Sequence, residues 1–153
     1  MTESKTRSEG WPAHRVTGVD VWPYRQADSG AEFLLLHRSG RDGAPFWQGV
    51  SGWIEAGEAP HLAALRELRE ETGLEIEPLE FLGVWMDRYG GDSTAEATLN
   101  LYWTARVVSG EPEPADDVDA LQWFSADELP GPDGLAFENV PLVLSAWAGQ
   151  QHP

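Results

Sequence analysis

The sequence has no cysteine and carries little positive charge. Its 153 residues include 10 lysines and arginines against 26 acidic residues, for a formal net charge of −16 at pH 7. Without cysteine, the chain has no disulfide framework and no thiolate nucleophile. The acidic balance argues against a nucleic-acid polymer as partner, since surfaces that bind phosphate backbones are basic. A bound metal ion can still reverse the local sign and admit a small phosphorylated substrate.

Long apolar runs are also absent. No stretch approaches the roughly 20 apolar residues that a membrane-spanning helix needs. The first ten residues, MTESKTRSEG, lack the apolar segment of a signal peptide. We therefore expect no membrane partner and a cytoplasmic protein. We also expect a flexible N-terminal arm at residues 1–13 and a single domain at residues 14–150, because a chain of this length suffices for one core.

The pattern of apolar residues predicts an α/β fold. Runs rich in β-branched and aromatic residues predict strands at 16–24, 32–38, 46–52, 79–88, 98–108 and 119–124. Helices are predicted at 60–72 and 139–149, and Ser125 with Glu128 matches a capping box that opens a short helix. The alternation in 98–108 predicts one apolar face, formed by Leu99, Leu101, Trp103, Ala105 and Val107. The mixed order of elements favours a mixed β-sheet with helices on its faces.

The helix at 60–72 has three leucines on one side and three carboxylates on the other. The leucines are Leu62, Leu65 and Leu68, and the carboxylates, at positions i, i+3 and i+4, are Glu67, Glu70 and Glu71. An exposed face tolerates such charges, at about 0.2–0.5 kcal/mol per pair. In a partly buried site, two carboxylates about 4 Å apart repel by about 4 kcal/mol, and the cluster would need a divalent cation. The helix alone leaves both interpretations open.

The residues around this helix follow a known spacing. Gly52 is followed after five residues by Glu58, and after seven more by the run RELREETGL at 66–74. This matches the signature G-x5-E-x7-R-E-U-x-E-E-x-G-U, with U aliphatic, at every fixed position. The chain therefore resembles the Nudix hydrolases, and the segment QWFSADEL also fits that family. The resemblance implies a Nudix-type α/β/α sandwich. Within the signature, Gly52 is expected to allow either close backbone approach or an unusual backbone dihedral, and Gly73 to end the helix.

The resemblance also implies a reaction and a set of roles. It implies metal-dependent hydrolysis of the diphosphate linkage in a nucleoside di- or triphosphate derivative. Mg²⁺ or Mn²⁺ would be held by Glu67, Glu70 and Glu71, because carboxylate oxygens are the ligands that these ions prefer. Arg66 would pair with a neighbouring glutamate and orient it, and Glu58 would bind through water or orient the others. The general base stays open among Glu67, Glu70 and a loop acid.

The family often supplies one further acid from outside the signature. Asp117, just before the predicted strand at 119–124, resembles an acid in that role and is our first candidate for a fourth metal ligand. Its competitors are Asp116, Glu113 and Glu96.

Five residues are candidates for substrate contact. Arg38 ends a predicted strand, and it either meets a phosphate or is simply an exposed arginine. Trp47, Trp85 and Trp53 border the expected cleft and are candidates for stacking on a nucleobase. Tyr89 stands roughly where diadenosine-polyphosphate hydrolases of this family have a tyrosine. We expect the loops at 39–47 and 86–96 to select the substrate, a small nucleotide or another diphosphate compound.

Two alternatives remain beside the enzyme. A catalytically silent Nudix-like module would sense a nucleotide without cleaving it, although it would have no need of every glutamate in the signature. An acidic scaffold protein would show no response to divalent ions. A homodimer is also open, because the apolar helix at 139–149 suits either a dimer interface or the core.

Overall fold

The computed structural model describes residues 17–39, 45–88, 97–114 and 118–151. It contains eight strands and two α-helices in those ranges. In chain order these are β1 (Thr17–Ala27), β2 (Gly30–Ser39), β3 (Pro45–Gln48), β4 (Val50–Trp53), α1 (Pro60–Thr72), β5 (Glu75–Ile76), β6 (Glu80–Asp87), β7 (Thr98–Ser109), β8 (Ala120–Ser125) and α2 (Val140–Gln151). A short 3-10 helix, Pro132–Gly134, precedes α2.

The strands form one mixed sheet around β1. Strand β7 runs parallel to β1 along one edge, whereas β2 and β4 pair with β1 antiparallel along the other. Strands β3 and β8 pair with β2 on opposite edges, and β5 and β6 pair with β7. The mixed sheet confirms the predicted α/β fold.

Each face of the sheet has its own core. Helix α1 covers one face, where Ala63, Ala64 and Leu68 pack against valines of β1 and β4. Helix α2 covers the other face, where Val143 and Trp147 pack with aromatic residues of β1, β2 and β7. The helices lie on opposite faces, as an α/β/α sandwich requires. Strand β2 is buried on both sides, since all four residues from Phe33 to Leu36 are fully buried.

Most predicted elements are confirmed, but the short helix after Ser125 is wrong. Strand β8 runs through Ser125, and the chain then turns, with the Glu128 N–H donating to the Ser125 carbonyl oxygen at 2.9 Å. The residues of a capping box can form the same local hydrogen bonds in a turn, so the pattern alone does not require a helix. No helix among the described residues is long and apolar enough to cross a membrane.

Two predictions about apolar faces were also incomplete. On β7 the polar face carrying Asn100, Tyr102 and Thr104 is also buried, whereas Leu99, on the apolar face, is 37% exposed. On α1 the buried residues are Ala63, Ala64, Leu68, Glu71 and Thr72, and Leu62 is half exposed. The small alanines let the helix approach the sheet closely, so the buried stripe is rotated away from Leu62 and towards the carboxylates.

Candidate functional site

Helix α1, which carries the acidic residues, begins and ends at residues that suit its two ends. Pro60 occupies the first turn, where a missing N–H costs nothing. Gly73 has a φ of 70° and donates its N–H to the carbonyl oxygen of Arg69, which ends the helix in a left-handed turn. Between these ends the helical spacing carries Glu67, Glu70 and Glu71 along one side.

Gly52 lies directly against one of these carboxylates. A Cβ placed on Gly52 would stand 2.1 Å from Glu67 Cδ and 2.2 Å from its Oε1. No side chain other than hydrogen leaves room for the carboxylate at this distance. Strand β4 and helix α1 therefore approach each other through this glycine, and Glu67 is held at the end of β4.

Arg66 connects the loop after β4 with the helix. Its guanidinium donates two bonds to Glu58, from Nε to Oε2 at 2.8 Å and from Nη2 to Oε1 at 2.9 Å. It also donates to Glu67 Oε1 at 2.9 Å, to Glu70 Oε2 at 3.4 Å, and to the carbonyl oxygen of Trp53 at 3.2 Å. A planar guanidinium can serve several acceptors at fixed angles, which a lysine cannot. Arg66 thus orients three candidate site carboxylates and the backbone that follows Gly52.

The charges in this cluster affect each other. The hydrogen bond from Arg66 lowers the pKa of Glu58 to about 2, and an N–H bond from Glu55 acts in the same direction. Burial raises the pKa of Glu67, and repulsion from Glu70 and Glu71 adds to the rise, against the opposing bond from Arg66. Packing therefore holds the Glu67 carboxylate where a positive charge in addition to that of Arg66 would stabilise its ionised form.

The donor set fits a hard divalent cation, although the side chains are not gathered around one point. No three acidic or histidine side chains within the described ranges converge as a metal site would require. Glu67 and Glu71 are nearly buried, whereas Glu70 is 59% exposed and can change its rotamer at little cost. All three offer carboxylate oxygens, the ligands of Mg²⁺ and Mn²⁺.

Several predicted site residues lie outside the described residues. These are Tyr89, Glu96, Asp116 and Asp117, and the side chain of Arg38 belongs with them. Glu113 is described: its N–H donates to the Thr72 carbonyl oxygen at 3.1 Å, which places its exposed side chain near the C-terminal end of α1.

The tryptophans differ in how deeply they are buried. Trp22 is fully buried. Trp47 is half-buried and packs edge-on against His37 and Phe124. Trp85 is half-buried against Tyr102, with ring centroids 5.5 Å apart. Trp53, directly after Gly52, is 59% exposed.

Sequence reasoning missed a pair of buried aspartates on the α2 face. Asp87 is fully buried and accepts hydrogen bonds from Asn100 Nδ2, the Tyr102 hydroxyl, and both the backbone N–H and Nδ2 of Asn139. Asp20 is also fully buried, and neither of its oxygens accepts a hydrogen bond from the described residues. Burial, and then the charge of Asp87, raises the pKa of Asp20 well above its usual value. The sequence does contain a hint of this pair, because Asp20 stands inside the apolar run VTGVDVWPY.

Comparison with known proteins agrees with this geometry. A model of the NUDIX domain matches residues 14–144. The chain is 33% identical over 124 residues to the NAD-capped RNA hydrolase NudC of Pseudomonas aeruginosa strain LESB58, covering 78% of this chain and 42% of that protein. It is 31% identical over 103 residues to the asymmetrical bis(5'-nucleosyl)-tetraphosphatase of Mus musculus, covering 66% of this chain and 69% of that protein. The chain thus spans less than half the length of NudC.

A solved structure shares the fold. The NUDIX domain of Shewanella oneidensis NrtR, in complex with ADP ribose, superposes with a TM-score of 0.75 at 21% identity, covering 99% of each chain. The domain match over residues 14–144 shows that the chain belongs to the NUDIX domain family, and this structure shows that it shares the fold.

Proposed function

We propose that the chain is a metal-dependent hydrolase that cleaves the diphosphate linkage of a nucleoside di- or triphosphate derivative. The observation that carries the proposal is the contact between Gly52 and Glu67, which holds a carboxylate of the acidic helix face at the end of β4. The relatives support it, because the names NAD-capped RNA hydrolase and bis(5'-nucleosyl)-tetraphosphatase both refer to compounds with phosphoryl groups joined in anhydrides. With a net charge of −16, we propose a free nucleotide rather than an RNA as substrate.

The roles follow from the contacts of each side chain. Glu67, Glu70 and Glu71 would hold Mg²⁺ or Mn²⁺, with Asp117 as a further acid. A divalent ion bound there would neutralise phosphoryl oxygens and lower the pKa of a bound water. Glu67, Glu70 or a loop acid would take the proton of the water that attacks phosphorus. Arg66 would keep Glu58 and Glu67 oriented through its hydrogen bonds.

Substrate contacts outside the acidic face are also proposed. Trp47 and Trp85, which are half-buried, would contact the nucleoside, together with Arg38 and Tyr89. Phosphomonoesters should be poor substrates, because they lack the second phosphoryl group that the metal site is suited to bridge.

The test is hydrolysis of a panel of diphosphate compounds by the purified protein with Mg²⁺, with Mn²⁺ and with excess chelator. We expect activity only with metal, and a loss of about two orders of magnitude or more in turnover for Glu70→Gln and Glu71→Gln. Glu128→Gln, on the exposed turn after β8, is the control. In oxygen-18 water the label should enter a phosphate product. Full activity in chelator would contradict the proposal, and tight nucleotide binding without hydrolysis would favour the sensor alternative.

A further inference from the structure

Three rows of mostly apolar side chains cross the α1 face of the sheet, from β1 through β7 to β6. Strand register defines their members: Val21, Trp103 and Phe81; Val19, Leu101 and Val84; and Thr17, Leu99 and Met86. Residues paired across neighbouring strands point to the same side of a sheet. The rings of Phe81 and Trp103 agree with this, since their centroids lie 4.8 Å apart. The rows therefore form one continuous surface.

Helix α1 covers only one end of these rows. The two valines of β1 are fully buried in the core beneath α1, whereas the three β6 residues are each about half exposed. Contiguous apolar patches of this kind mark interaction surfaces. The exposed residues, here called the open patch, are Phe81, Val84, Met86 and Leu99.

The N-terminal segment, residues 1–16, joins the sheet beside the open patch. The segment itself lies outside the described residues, but Thr17, the first residue of β1, stands in the same row as Leu99 and Met86. With strands about 4.8 Å apart and a rise of about 3.3 Å per residue, Val84 lies about 12 Å from Thr17. Trp11 stands six residues before Thr17, and a chain of that length spans up to about 20 Å. Trp11 can therefore reach the patch even when the chain turns back on itself.

Charge favours this segment over a second copy of the chain as the occupant of the patch. The segment has a formal charge of +1, from three basic and two acidic residues: Lys5, Arg7, Arg15, Glu3 and Glu9. Since the whole chain carries −16, the remaining residues carry −17. Long-range attraction therefore draws the segment to the rest of the protein, whereas two copies at −16 repel each other.

We propose that the open patch is the docking surface for the N-terminal segment of the same chain, with the indole of Trp11 packed on Val84 between Phe81 and Met86. Trp11 is the one aromatic residue of the segment, and an aromatic side chain offers the largest apolar area for such a contact. Docking removes the exposed sides of the β6 residues from water. The segment is then part of the domain and not the flexible arm that its sequence predicts. None of these residues has a role in the proposed reaction, so the proposal is independent of the proposed function.

The first experiment uses the absence of cysteine from the chain, which makes two introduced thiols the only ones present. Gly10→Cys is combined with Val84→Cys in the full chain, and the dilute protein is equilibrated in a glutathione redox buffer. The control pair is Gly10→Cys with Leu142→Cys, because Leu142 is exposed on α2, on the opposite face of the sheet. Non-reducing electrophoresis and peptide mass mapping give the effective concentration of each pair. We expect the Val84 pair to exceed the control at least tenfold, as a disulfide within one chain.

The second experiment is a double-mutant cycle read by urea unfolding, with Trp11→Ala and Val84→Ala. We expect their effects on the unfolding equilibrium constant to be coupled at least threefold, and those of Trp11→Ala and Leu142→Ala to be independent. Equal effective concentrations for the two thiol pairs would overturn the proposal, and disulfides mainly between two chains would assign the patch to a second copy. Independent effects of Trp11→Ala and Val84→Ala would also overturn it, because a disulfide alone can trap a rare approach.

Discussion

The carboxylate of Glu67 fills the place that a side chain on Gly52 would take: Glu67 Cδ lies 2.1 Å from the ideal Cβ position of Gly52. In Gly52→Ala the added methyl group must displace Glu67. Because the displaced atoms are the end of a flexible side chain, the fold should survive. We expect turnover to fall by about two orders of magnitude, as for loss of a strong electrostatic stabiliser. Steady-state kinetics and thermal unfolding measure the two effects.

Gly131→Ala is the control for this change, because a Cβ on Gly131 meets nothing within 4 Å. Wild-type turnover in Gly52→Ala would show that the position of Glu67 does not matter for the reaction.

Arg66→Lys tests whether the fork of hydrogen bonds is needed or only the charge. A lysine keeps the charge but cannot donate two bonds to Glu58 while it also reaches Glu67 and the Trp53 carbonyl oxygen. We expect a fall in kcat with a smaller change in the melting temperature. Arg69→Lys, exposed on the same helix, should behave as wild type. Equal kcat values for the two variants would argue that charge alone suffices at residue 66.

Asp87→Asn should destabilise the fold. Asp87 is fully buried and accepts from four donors, two of which belong to Asn139 at the start of α2. An amide of the same shape offers one acceptor oxygen, and its NH₂ group faces donors. Leaving buried donors without acceptors costs about 1–3 kcal/mol each, so we expect a loss of roughly 3 kcal/mol in the free energy of unfolding. Urea denaturation measures it, with the exposed Asp133→Asn as control. A value within error of that control would contradict the role of Asp87.

Asp20→Asn should change how stability depends on pH. The folded pKa of Asp20 is raised, first by burial and then by the charge of Asp87, so the folded state holds the proton more tightly than the unfolded chain. Such a group contributes stability below its unfolded pKa of about 3.9, and that contribution is lost as pH rises through the folded pKa. Wild type should therefore lose stability relative to Asp20→Asn as pH rises above about 4.

The measurement is urea unfolding of both proteins from pH 4 to pH 8. Asp127→Asn, at an exposed position, serves as the reference for a simple loss of one negative charge. A difference between Asp20→Asn and wild type that stays constant over this range would mean that Asp20 does not titrate differently in the folded protein.

The helix and its carboxylates could be predicted because their information is local. Pro60 and Gly73 define the ends of α1, and the spacing between Gly52 and Leu74 places three glutamates on one side. Strand β2 was equally readable, since a short continuous apolar run is typical of a strand buried on both faces. The capping pattern at Ser125 wrongly predicted a short helix, because a turn and the start of a helix use the same local hydrogen bonds.

By itself, the sequence determined the family, the mixed α/β fold and the acidic helix face, all of which follow from short-range spacing of residue types. Only the tertiary structure decided which groups meet across the sheet. Asp87 contacts Asn100 and Asn139, because strand register and the packing of α2 bring residues from distant parts of the chain together. Register follows from the packing of both sheet faces at once, and no local pattern encodes which residue of one strand will face which residue of another.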